Sequence, residues 1–115
     1  MTIPSEPIVV LMTAPSSAEA ERIAEVLVSQ QLAACVQILP GLQSIYVWQG
    51  KVQRESEVMV LAKTTQNNFA KLEREIHAIH SYETPEIVAL PIVAGSEPYL
   101  SWLSCSVGSE PEERS

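Results

Sequence analysis

An α+β domain built as a split βαβ sandwich is what the sequence predicts, on three observations. Short β-branched runs alternate with two stretches whose apolar residues recur at helical spacing. Read along the chain, the order is strand, helix, two strands, helix, strand and a last helix, which is the order of ferredoxin-like sandwiches. The two central strands are separated only by Gln49-Gly50, a pair suited to a tight hairpin.

Ile8 to Met12 is β-branched and apolar and reads as a buried first strand, stopped by the small polar residues and proline of Thr13 to Ser17. Ser16 with Glu19 three residues on fits a capping box. Ala20, Ile23, Ala24, Leu27 and Val28 then share one face of a helix running to about Gln31. Ala34 to Leu39 is extended, Pro40-Gly41 marks a bulge or kink, and Ile45 to Trp48 resumes the strand. Beyond the hairpin, Lys51 to Lys63 forms the second arm, and Thr65 caps a second helix with Phe69, Leu72, Ile76 and Ile79 on its apolar face. Pro85 bars that helix from continuing. Glu86 to Val93 reads as an edge strand, because Pro91 lacks an N–H for a second neighbour, and Pro98 opens a short final helix. Residues 1–7 are expected to be a flexible lead, 8–107 the single domain and 108–115 a charged, flexible tail.

The 115 residues suit one core, and 46% hydrophobic against 18% charged residues is a globule's composition. A net charge of -7 leaves too little positive charge to neutralise phosphates, so nucleic acid is not an expected partner. All acidic residues are Glu, which excludes Asp-rich calcium loops and paired-aspartate mechanisms. Near the N-terminus the longest apolar run, Ile8 to Met12, is far shorter than the roughly 18 residues of a membrane span, and Met1 to Pro7 lacks the features of a secretory leader. No membrane association and a cytoplasmic location are expected. Cys35 and Cys105 form no CxxC pair and are expected to be reduced thiols.

The hairpin carries a quaternary expectation. Lys51 to Lys63 would span ~44 Å fully extended at about 3.4 Å per residue. A domain of this size has a diameter of roughly 34 Å, so the arm should overhang its own sheet. Ile45, Val47, Val52 and Val58 on such an overhang call for association with sister chains.

Catalysis is not expected. The loop Thr13 to Ser17 contains no Arg, Gly or Lys, and Pro15 removes an amide, so it makes no anion cradle. GxSxG, HExxH and P-loop motifs are all absent. For metal, Glu73, His77 and His80 would share one face if the second helix continued, an arrangement suited to copper or zinc. The alternative is that both histidines interact with exposed carbonyls at a helix C-terminus. Cys35, between Ala34 and Val36, reads as a packed thiol, and Tyr82 to Glu86 reads as a loop able to line a cleft.

Several segments, in order and spacing, resemble the CutA family of divalent-cation tolerance proteins: VVLMTAPSS, QQLAACVQILPG, SIYVWQGKV, VLAKTT, HSYETPEIVALPIVAG and YLSWL. They cover most of residues 8–107. The resemblance implies a ferredoxin-like fold assembled as a tight homotrimer through its long hairpins, similar to the trimeric PII signalling proteins, and a role in tolerance of copper and other divalent cations without catalysis. Met12, Ile79 and His80 align with the family's copper-assigned Cys and His positions. Of these His80 keeps a strong donor, Met12 offers a soft thioether and Ile79 offers none. The expected metal residues are therefore His80, Met12 and His77, holding copper or another divalent cation, with no organic cofactor. The family's distinctive motifs also place Trp48, Lys63, Tyr82, Glu83 and Glu86 around an intersubunit cleft. A PII-like module sensing a small ligand in that cleft is the alternative function.

Overall fold

Backbone pairing follows the predicted order closely in a computed structural model, which describes residues 5–108. The elements are β1 (Pro7–Ala14), α1 (Ser17–Ser29), β2 (Cys35–Trp48), β3 (Lys51–Thr65), a 3-10 turn (Gln66–Asn68), α2 (Phe69–Ile79), β4 (Ile87–Pro91) and α3 (Glu97–Cys105). The strands form one antiparallel sheet in the order β2-β3-β1-β4. Each βαβ unit thus leaves a gap that a strand of the other unit fills. Pro91 lies on the edge strand β4, as its missing donor requires.

Strand alternation divides the side chains between two faces. Val10, Met12, Val58, Val60 and Ala62 point toward the helices and meet Ala20, Ile23 and Leu27 of α1 and Leu72 and Ile76 of α2. Val58 therefore belongs to the core and not to the overhang, while Val28, expected on the apolar face of α1, is exposed. The opposite face carries Val9, Leu11, Leu39, Met59, Leu61, Val88 and Leu90 in register with one another. Neither helix α1 nor α2 covers it.

The hairpin overhangs as expected. The molecule measures 53 × 33 × 25 Å, and Val47, Trp48 and Val52 near the tip are 67%, 61% and 64% exposed. Gln49 and Gly50 have φ of 53° and 78°, both positive, so the two-residue turn has the hand that matches strand twist. Pro40-Gly41 is the bulge: pairing jumps from Leu39↔Met59 to Leu42↔Glu57, leaving two residues opposite Val58 alone.

The ends depart from expectation. Pro7 pairs with Thr65, and Gln66 N donates to Glu6 O at 2.8 Å, so residues 6 and 7 are tied to the sheet and do not form a free lead. Gly108 donates to Gln31 O at 3.0 Å and accepts from Asn68 Nδ2 at 2.8 Å, so the anchored domain runs past 107. Residues 1–4 and the rest of the expected tail, 109–115, lie outside the described residues.

Candidate functional site

The capping signal at α1 is half fulfilled, and its other half builds the first cluster. Ser16 Oγ accepts from Glu19 N at 3.2 Å, as an N-cap should. The Glu19 carboxylate does not turn back to Ser16. Its Oε2 accepts from Ser81 N at 2.8 Å and Ser81 Oγ at 3.0 Å, and lies 3.3 Å from His80 Nδ1. Burial pushes the Glu19 carboxyl up, but the two Ser81 hydrogen bonds and the Arg22 guanidinium outweigh it and hold the group below its ordinary value.

His80 ends α2, turning extended with ψ 143°, although its own N–H still donates to Ile76 O at 2.8 Å. The ring is buried, and both nitrogens are engaged. Nε2 sits 2.8 Å from the carbonyl oxygen of Thr13, which only an N–H can satisfy, and Nδ1 accepts from Tyr82 N at 3.0 Å. This is the neutral tautomer with the proton on Nε2.

The expected single face of Glu73, His77 and His80 does not form, because the His80 ring is buried and held by the Thr13 carbonyl and the Tyr82 N–H. His77 stays exposed, with Nε2 3.5 Å from Glu73 Oε2. Met12 is fully buried in the core, and Ile79 packs against the core. Among the described residues no group of three or more histidine, cysteine and acidic side chains is placed to hold a metal ion. Cys35 is half-buried, its Sγ 3.6 Å from the Tyr99 hydroxyl, whose pKa that contact and burial raise.

A cleft of about 780 Å³ runs along the hairpin, from its root at Ser44 and Glu57 to Trp48 near the tip. Thr13 and the hairpin residues Ser44, Tyr46, Trp48, Glu55 and Glu57 line one side, and Tyr82, Thr84 and Glu86 of the loop after α2 line the other. Glu57 is only 8% exposed, with Oε1 accepting from Ser44 Oγ at 2.6 Å and Oε2 accepting from the Tyr82 hydroxyl at 2.8 Å. Burial first, and then the bond to Glu57, holds the Tyr82 phenol well above its ordinary value. A hydrogen bond to Glu55 raises Tyr46 likewise.

Of the five residues expected around an intersubunit cleft, Trp48, Tyr82 and Glu86 line this cleft within one protomer, and Glu83 and Lys63 of the same protomer lie outside it. Lys63 lies six residues along β3 from Glu57, about 20 Å at the rise of a strand. It donates to Gln37 Oε1 at 2.7 Å and lies 5.8 Å from the Tyr99 ring centroid. Sequence reading missed Ser44, Tyr46, Glu55 and Glu57. The available signal was cross-strand: counting outward from the Gln49-Gly50 turn pairs Ser44 with Glu55 and Tyr46 with Gln53 on one face.

The family described as CutA1 divalent ion tolerance protein matches residues 8–106. The divalent-cation tolerance protein CutA of Thermus thermophilus is 52% identical over 100 residues, 87% of this chain and 97% of that protein. A chloroplastic CutA of Arabidopsis thaliana is 45% identical over 105 residues, 91% of this chain but 57% of the plant protein. Among solved structures, the divalent cation tolerance protein Cut A1 of Thermus thermophilus superposes with a TM-score of 0.87 at 51% identity, covering 89% of this chain and 99% of that one. CutA1 of Oryza sativa superposes with a TM-score of 0.90 at 39% identity, covering 93% and 98%.

Proposed function

The chain belongs to the CutA1 divalent ion tolerance family, and from that premise we propose that it serves cation tolerance as a cytoplasmic, non-catalytic, PII-like homotrimer that senses a small ligand in the cleft along the hairpin. The cleft carries this reading: it is roomy, holds a nearly buried carboxylate, and is built by the loop and hairpin that lie at the end of the sheet. Assembly is supported by the apolar overhang and by the sheet face that α1 and α2 leave uncovered. Two unpaired thiols, Cys35 and Cys105, fit a reducing compartment.

Direct binding of copper or another divalent cation is the second reading. The exposed His77–Glu73 pair favours it, because a histidine and a carboxylate one helical turn apart present two donors to solvent. Calorimetry of the intact assembly with CuCl2, ZnCl2 and a panel of small metabolites separates the two. Ligand heat that vanishes in Tyr82→Ala supports the cleft. Metal heat that vanishes in His77→Ala, with no metabolite binding, supports the metal reading and overturns the cleft.

A further inference from the structure

We draw no further inference here: the strongest candidate, the side-chain cluster of Glu19, His80 and Ser81 at the exit of α2, belongs to the site already described, and Thr13 and Tyr82, which hold its ring, wall the cleft along the hairpin, where nothing in the structure shows what lies against them in the assembly.

Discussion

Glu19 and Ser81 meet across 62 residues of chain: one carboxylate oxygen of Glu19 accepts both the backbone N–H and the hydroxyl of Ser81, at 2.8 and 3.0 Å. The contact locks the exit of α2 onto the first turn of α1. It also makes stability depend on pH with a definite sign. The folded Glu19 carboxyl lies below its unfolded value, so its contribution is fully present above about pH 4.3 and is lost as pH falls through the folded value. Urea midpoints measured from pH 6 to 2.5 should fall in that acid range. Glu19→Gln, which keeps an acceptor and removes the charge, should fall less steeply. Parallel curves for the two proteins would remove Glu19 from the account.

His80 should act on stability before it acts on metal. Truncation to alanine leaves Thr13 O and Tyr82 N without their ring partners in a buried position. Two lost hydrogen bonds and the space left behind should cost about 3 kcal/mol in urea unfolding. Copper affinity of the folded remainder should stay within twofold of the parent, since a ring with both nitrogens engaged has no lone pair to give. A tenfold loss of copper affinity without a stability loss would restore His80 as a ligand.

What could be read from sequence was local. Ser16 before an apolar repeat, Gln49-Gly50 between β-branched arms and Pro91 in a short strand each act within a few residues, and each stands where expected. The candidate metal face failed on the partners of one ring. Helical spacing placed His77 and His80 together, but His80 finds partners in Thr13, Tyr82 and Glu19, far away in sequence or past the helix end, and these hold its ring in a buried position. The cleft was half visible for the same reason. Tyr82 and Glu86 stand out in a loop, while Ser44 and Glu57 acquire meaning only once the bulge at Pro40-Gly41 sets the pairing of β2 with β3.

Thr64 offers a substitution that should stabilise. Its residue is fully buried on the core face of β3, and its hydroxyl has no hydrogen-bond partner among the described residues. Valine has nearly the same shape and no polar group to desolvate. Thr64→Val should gain about 1 kcal/mol in urea unfolding, with an unchanged oligomeric mass. A loss of stability would mean that the hydroxyl is bonded in solution.

Assembly should depend on two surfaces that respond differently. Leu39, Val88 and Leu90 are about half exposed on the sheet face that α1 and α2 leave open, and Val47 and Val52 stand further out on the hairpin. Apolar area left in water is worth about 25 cal/mol per Å², so covering a continuous face contributes more than covering a hairpin tip. Light scattering of the parent at low micromolar concentration should give three times the 12.6 kDa chain mass. Val88→Glu places charge on the edge strand of the face, beside Leu11, and should shift the mass toward the monomer. Val52→Lys lies at the end of a strand pair where a lysine can reach solvent, so it should raise the dissociation midpoint only a fewfold. A parent of monomer mass would sink the assembly outright. Dissociation by Val52→Lys with Val88→Glu intact would move the interface from the sheet face to the hairpin alone.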